Sequence, residues 1–270
     1  MCWKGKRCSI QKPNQLILVW LFLLALNGIM EATPLDLSTW NVVQYDFTGF
    51  QPAANWVLSN DNKTVTQTVN ADPSMLLNGI DQTSYQIKGS VRVATSFDDD
   101  LIGFVFGYQD PSHFYLMDWK QTYQNSIAGI AQEGFSIKKF SANQKSDFII
   151  EEFWQSASTT HMTNLVNSYG SNRGWADNTL YDFYLNFQPG IFDIEVALGN
   201  AILWDVTVTD NSYTSGQFGF YMISQSSVEY SGFEQKGGAV VPEPSTFCLI
   251  GIGLIGLVVF CKKSGHIRVK

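Results

Sequence analysis

Three observations predict an all-β sandwich or jelly-roll fold. The chain of 270 residues is 45% hydrophobic and 14% aromatic, with only 15% charged residues, a composition typical of a packed domain and not of a disordered chain. Between residues 40 and 233, short segments rich in Val, Ile, Tyr, Phe and Trp are bounded by Gly, Asn, Asp, Ser or Pro. No long apolar segment in that region has a helical period.

The predicted strands are 85–95, 101–108, 113–120, 180–187, 191–198, 201–208, 217–224 and 228–233. The clearest pair surrounds Gly199-Asn200, a two-residue hairpin signal between two segments in which apolar and polar residues alternate. Residues 125–178 are less regular, and we expect a long loop there with one helical turn near 151–155.

The N-terminal segment has the pattern of a secretory signal peptide. Four basic residues precede the apolar run 16–26, which is too short for a comfortable transmembrane helix, and small residues follow around Ala32. We predict a signal over residues 1–32, and the alternative is an uncleaved signal anchor. The central domain is then expected over 33–236.

The last segment, residues 237–270, contains three features in order. Pro242-Glu243-Pro244 is followed by a short apolar helix over 247–260 and then by a basic tail from Lys262. This arrangement resembles the PEP-CTERM sorting signal of Gram-negative bacteria. The resemblance implies an exosortase as partner, cleavage near Pro242-Glu243-Pro244, and membrane attachment only through a removable helix. The alternative is a permanent single-span anchor.

The charge and cysteine distributions exclude several functions for the central region. Residues 32–240 carry 9 basic and 22 acidic side chains, a net charge of −13, which argues against nucleic-acid binding. All four cysteines lie in the terminal segments, so the central region has no disulfide, thiolate zinc site or thiol nucleophile. It also has no Gly-x-Ser-x-Gly elbow and no Gly-rich phosphate loop.

The acid triplet, Asp98-Asp99-Asp100, is the strongest candidate site. Three consecutive carboxylates repel one another unless water or a cation neutralises them, and calcium prefers six to eight oxygen ligands. The alternative from the residues alone is a solvated acidic turn.

The triplet also begins a set of motifs that resembles the C-terminal, lectin-like domain of thrombospondins. The similarity covers about residues 40–235. The matching segments are Asn55-Trp56-Val57, 66–73, 98–109, Phe114-Tyr115, Trp119-Lys120-Gln121, Gly174-Trp175 and 216–221. The calcium-binding repeats that precede this domain in thrombospondins have no counterpart here, so the cell-receptor binding of the animal proteins is not assumed.

The resemblance implies a concanavalin A-like jelly-roll sandwich that binds calcium in an extracellular, adhesive setting. It implies Asp98, Asp99 and Asp100 as calcium ligands, with Asp72 as a further candidate. Trp154 and Trp175 lie in loop-rich surroundings and are the indoles expected to stack on a sugar, although tryptophan in a sandwich more often belongs to the core.

Hydrolase chemistry is not expected. Asp193 and Glu195 share one strand face, but Ile191 stands where a laminarinase-type hydrolase carries its first carboxylate. We therefore expect a solvated face there and a protein that is not an enzyme.

The predicted function is a secreted or surface-attached, calcium-binding structural and adhesive module of the bacterial matrix, which contacts exopolysaccharide or other surface proteins. The alternative is a carbohydrate-binding lectin, and a glycoside hydrolase is less favoured.

Overall fold

The computed structural model describes residues 32–47 and 49–237, which form seventeen strands and one short α-helix. The strands are β1 (Thr33–Pro34), β2 (Asn41–Gln44), β3 (Trp56–Leu58), β4 (Thr64–Gln67), β5 (Ser74–Leu77), β6 (Tyr85–Val93), β7 (Leu101–Asp110), β8 (His113–Lys120), β9 (Gln124–Ser126), β10 (Gly129–Ala131), β11 (Gly134–Ser141), β12 (Met162–Tyr169), β13 (Tyr181–Gln188), β14 (Ile191–Leu198), β15 (Ala201–Thr209), β16 (Gln217–Ile223) and β17 (Val228–Lys236). The helix is α1 (Ile150–Trp154).

The strands form two antiparallel sheets and one small hairpin. The eight-stranded sheet has the order β15-β14-β13-β6-β17-β4-β3, with β1 paired to β17. The seven-stranded sheet has the order β12-β11-β8-β7-β16-β5-β2, and β9 pairs with β10. These two sheets confirm the predicted all-β jelly-roll sandwich.

The predicted strands match observed strands to within two residues at each end, except that the last one extends three residues further, to Lys236. The hairpin at Gly199-Asn200 joins β14 to β15, and Gly199 has φ +57°, the left-handed conformation that this turn requires. Residues 125–178 are more ordered than expected, since β10, β11, β12 and the helical turn α1 lie within that region.

The main core lies between the two sheets and is dominated by aromatic rings. Phe104 of the seven-stranded sheet stacks on Phe183 of the eight-stranded sheet with ring centroids 3.7 Å apart. Trp119 stacks on Phe135, and Trp204 packs on the other side of that phenylalanine. Aromatic packing of this kind adds to the free energy gained by removing apolar area from water.

A second apolar cluster covers the outer face of the seven-stranded sheet. Residues 124–131 and 142–161, here called the covering segments, contribute Phe148, Phe153 and Trp154 to it. These side chains pack on Phe114 and Phe140 of the sheet. Both faces of its central strands are therefore buried, which explains why these strands lack simple alternation in sequence.

Several predicted features lie outside the described residues. These are most of the signal segment, Pro242-Glu243-Pro244 and the short apolar helix at 247–260. Within the two described ranges, no helix is long and apolar enough to cross a bilayer.

Candidate metal centre

The acid triplet lies at one end of the sandwich, where the chain enters β7. The register places Leu101, the first residue of β7, opposite Lys120, the last residue of β8. A carboxylate oxygen from each of Asp98, Asp99 and Asp100 lies within 4.8 Å of the others. The structure therefore brings the three predicted ligands together.

Lys120 supplies the triplet with an internal cation. Its side chain is fully buried, and Nζ lies 2.8 Å from Oδ1 of Asp99 and 3.1 Å from Oδ1 of Asp100. Nζ also donates to the main-chain oxygen of Asp99 at 2.6 Å and lies 5.4 Å from the ring centroid of Trp154. Three ionised carboxylates and one ammonium leave a formal charge of −2 at this end of the sheet.

Asp98 carries an unsatisfied acceptor next to this ion pair. Its Oδ1 accepts the amide of Asp99 at 3.1 Å, whereas its Oδ2 is closed to solvent and accepts no hydrogen bond from the described residues. A buried carboxylate oxygen without a partner is energetically costly. The residual charge of −2 and the all-oxygen donor set fit a divalent cation such as Ca²⁺.

The environment shifts the pKa values of two of these carboxyl groups in opposite directions. Burial raises the pKa of Asp100 to about 6, and the Asp98 charge adds to this effect while the Lys120 charge opposes it. Burial alone would also raise the pKa of Asp99. Hydrogen bonds from Lys120 and Thr122, together with the Lys120 charge, outweigh burial and hold that pKa below its usual range.

Polar contacts from distant segments fix the backbone of the triplet. The amide of Asp100 donates to Oε1 of Gln225 at 2.8 Å, and its carbonyl accepts the indole N–H of Trp175 at 3.2 Å. The amide of Gln121 donates to the carbonyl of Asp99 at 3.2 Å. The ends of β8 and β16 and the loop at 171–177 thus hold one turn in place.

Asp72 lies outside the group of three carboxylates within 4.8 Å of one another. It is buried, and its two oxygens accept the amides of Phe47 at 2.7 Å and Gln51 at 3.1 Å. Burial raises the pKa of this carboxyl despite the two amides. The contacts give Asp72 a structural role in the loop after β2. Its neighbour Ala71 accepts the amide of Ser224, one residue before Gln225.

The two tryptophans expected to stack on a sugar are both in the interior. Trp154, which belongs to the second covering segment, is 5% exposed, and its indole donates to the carbonyl of Gly129 in the first. Trp175 is 2% exposed and donates to Asp100. A stacking platform must present its ring face to solvent, so neither indole can serve as one in this arrangement.

Sequence reasoning missed Lys120 and Gln225 as parts of the site. Lys120 occurs in a segment read as a strand, where a lysine suggests a solvent-facing position, and Gln225 follows a strand more than 120 residues after the triplet. The density of acidic residues could have pointed to a buried lysine, because a buried carboxylate cluster requires a cation nearby.

A second buried ion pair lies on the outer face of the seven-stranded sheet. Nζ of Lys138 lies 2.5 Å from Oδ2 of Asp118, and Ser136 donates to the other oxygen of that carboxylate. In the strand register Asp118 lies opposite Gly103, which in turn lies opposite Tyr221. The hydroxyl of Tyr221 is buried and has no hydrogen-bond partner among the described residues.

Asp193 and Glu195 lie on the outer face of the eight-stranded sheet. Asp193 accepts the amide nitrogen of Asn186 at 2.9 Å and the hydroxyl of Thr207 at 2.7 Å. Glu195 lies opposite Asp205 in the register. Both carboxylates are partly exposed, as expected for a hydrated strand face.

Comparison with known proteins agrees with both resemblances. The family model described as the thrombospondin C-terminal region matches residues 51–238, and the PEP-CTERM protein-sorting motif matches residues 240–263. Thrombospondin-3b of Danio rerio is 30% identical over 223 residues, and cartilage oligomeric matrix protein of Rattus norvegicus is 29% identical over 223 residues. Each match covers 79% of this chain, but only 24% and 30% of these relatives.

Two solved structures share the fold at low sequence identity. The carbohydrate binding module CBM66 from Bacillus subtilis has a TM-score of 0.50 and 10% identity, covering 77% of this chain and 98% of its own. The exoplasmic/lumenal domain of VIP36, in its Ca²⁺/Man3GlcNAc-bound form, has the same TM-score and identity. The match covers 79% of this chain and 90% of that domain's chain. With a family model that matches well over half of its length, this chain belongs to the thrombospondin C-terminal region family.

Proposed function

We propose that the protein is a calcium-binding structural and adhesive module of a Gram-negative bacterial extracellular matrix. The observation that carries this proposal is the unsatisfied, buried Oδ2 of Asp98 within a carboxylate cluster of residual charge −2. Calcium would be held by Asp98, Asp99 and Asp100. When bound, it would neutralise the cluster and so order this end of the sandwich.

The proposal does not require catalysis. The neutralised end of the sandwich would present a fixed surface to exopolysaccharide or to other surface proteins. Carbohydrate binding is the second candidate. It is favoured by the two structural neighbours, a carbohydrate binding module and a glycan-bound lumenal domain, although a shared fold alone does not establish a shared ligand.

Sorting belongs to the same proposal. The motif at 240–263 supports export, followed by exosortase cleavage near Pro242-Glu243-Pro244 and attachment to, or release at, the cell surface. Expression in a bacterium with and without its exosortase gene tests this step by the mass of the secreted product. A product that still contains residues 247–270 in the presence of the exosortase would refute it.

Calcium titration by calorimetry and thermal unfolding in calcium or chelator test the metal site. A ligand present at 100 times its Kd stabilises the native state by about 2.7 kcal/mol. That corresponds to a rise of roughly 5–10 °C in Tm for a domain of this size. We expect this rise for the native protein and its loss in Asp98→Asn.

Asp205→Asn is the matched control, because Asp205 is an exposed carboxylate on the other sheet. It should retain the full calcium response. If the native protein binds no calcium at millimolar concentration, Lys120 is the triplet's cation and the proposed function fails.

A further inference from the structure

A groove with mixed apolar and polar walls lies beside strand β2. It has a volume of about 810 Å³ and is formed between residues 45–47 and 50 on one side and residues 144–146 and 148–151 on the other. This volume lies within the range of sites that enclose small ligands. None of the three triplet residues lines it.

The apolar part of the groove includes two large side chains left open to solvent. Phe50 is 41% exposed and Ile149 is 54% exposed, and they come from opposite walls. Behind them the buried ring of Tyr45 contributes to the lining. An accessible ring face next to an aliphatic side chain suits a flat ligand surface made of C–H groups.

The polar part of the groove supplies hydrogen-bond acceptors. Asp46 and Glu151 line it, and neither carboxylate forms an ion pair with any residue in the described ranges. Lys145 is held at one wall, since its Nζ lies 5.0 Å from the ring centroid of Tyr45 and donates to the main-chain oxygen of Gln44. The groove thus carries two carboxylates without an ion-pair partner among the described residues, Asp46 and Glu151, whereas the ammonium of Lys145 is already engaged with Tyr45 and Gln44.

We infer that this groove binds a neutral oligosaccharide segment. Sugar rings present C–H faces that can pack on Phe50, and their hydroxyls donate to carboxylates such as Asp46 and Glu151. The excess of carboxylates disfavours an acidic glycan by charge repulsion. The inference rests on the proposed adhesive function and names the partner of that function, but its site is separate from the calcium ligands.

The test uses the purified protein and a panel of neutral gluco-, manno- and galacto-oligosaccharides, with an oligogalacturonate as the acidic probe. Binding is measured by calorimetry and located by chemical-shift changes of side-chain methyl and aromatic groups. We expect at least one neutral glycan to bind and to perturb Phe50 and Ile149. The acidic probe should bind at least tenfold more weakly.

Four variants define the groove. Phe50→Ala and Glu151→Gln should each weaken neutral glycan binding by about tenfold or more without lowering Tm, and Phe50→Tyr should preserve binding because it keeps the ring. Tyr123→Ala is the control, because Tyr123 is an exposed aromatic residue outside the groove. Binding should be unchanged in that variant.

Three results would overturn the inference: no binding by any neutral glycan, equal binding by the acidic probe, or binding that survives Phe50→Ala. A glycan response that persists in Asp98→Asn supports the groove even if the calcium proposal fails. Calcium binding without any glycan binding refutes the groove and leaves the calcium proposal standing.

Discussion

The ammonium nitrogen of Lys120 lies 2.8 Å from a carboxylate oxygen of Asp99, and the lysine is fully buried. The acid cluster therefore has a fixed cation that neutralises part of its charge before any ion binds. Removing one partner of such a buried charge pair lowers the free energy of unfolding strongly, because the other charge stays buried without compensation.

Lys120→Met should destabilise the protein strongly in the presence of chelator. The substitution leaves Asp99 and Asp100 without their cation, and breaking a buried pair typically costs about 3–5 kcal/mol. Calcium should recover more stability in the variant than in the native protein, because the cluster then has a charge of −3. Thermal unfolding in chelator and in calcium measures both effects.

Lys88→Met is the control for the loss of a lysine. Lys88 is 61% exposed and lies 3.0 Å from Glu234, and a surface pair of this kind contributes about 0–1 kcal/mol. A Lys120→Met variant as stable as Lys88→Met in chelator would contradict the role given to the buried ammonium.

Asp100→Asn should change the stability in opposite directions with and without calcium. Because burial raises the pKa of Asp100 from 3.8 to about 6, the folded state binds this proton more tightly than the unfolded state. The contribution of Asp100 to the stability of the native protein in chelator should therefore fall as pH rises from about 4 to 6 and stay lower above pH 6. The asparagine variant should lack this decrease, of the order of 2–3 kcal/mol, and be the more stable protein at pH 7.5.

In saturating calcium the order should reverse, because the variant loses a ligand. Urea unfolding of both proteins from pH 4 to 8, in each condition, measures the difference. Identical pH profiles for the two proteins in chelator would show that Asp100 has no raised pKa.

Asp118→Asn should lower the free energy of unfolding by about 3–5 kcal/mol, because it leaves the buried Nζ of Lys138 without its carboxylate. The double variant Asp118→Leu with Lys138→Met should recover most of this loss, since it removes both charges. Denaturant unfolding of the single and double variants gives the coupling free energy. A double variant less stable than the single one would contradict this account.

Tyr221→Phe should leave stability unchanged or raise it by about 1 kcal/mol, because the deleted hydroxyl is buried without a partner. Tyr230→Phe is the matched comparison. Its hydroxyl donates to the carbonyl of Tyr221 at 2.6 Å, and its removal should cost about 1 kcal/mol. Equal losses in the two variants, measured by thermal unfolding, would indicate that Tyr221 has a partner.

Much of the fold could be predicted from the sequence because the eight-stranded sheet has one face in water. In β14, Phe192, Ile194 and Val196 are buried and alternate with partly exposed polar residues, and Gly199-Asn200 forms the predicted turn. The seven-stranded sheet offers no such alternation. In β11 both faces are buried, and Lys138 lies inside, so its residues do not show the pattern of a strand.

Part of the candidate metal site could also be predicted from the sequence. Asp98, Asp99 and Asp100 are consecutive, so their proximity is local and visible in the sequence. Their contacts with Lys120 and Gln225 depend on strand pairing across the sheet, which composition and spacing do not specify. The burial of Trp154 depends in the same way on how the covering segments fold back over the outer face.

Strand β17 is flanked by β6 along most of its length and by β4 over its first half, while β1 pairs with it near Gln235. Because antiparallel hydrogen bonds run across the strands, a mechanical load applied at Gly237 and directed along β17 would shear these ladders. Their bonds would have to break together, and not one after another as in a peeled edge strand. Attachment through the C-terminal side of this domain would thus transmit force into the interior of a sheet and not into an edge strand.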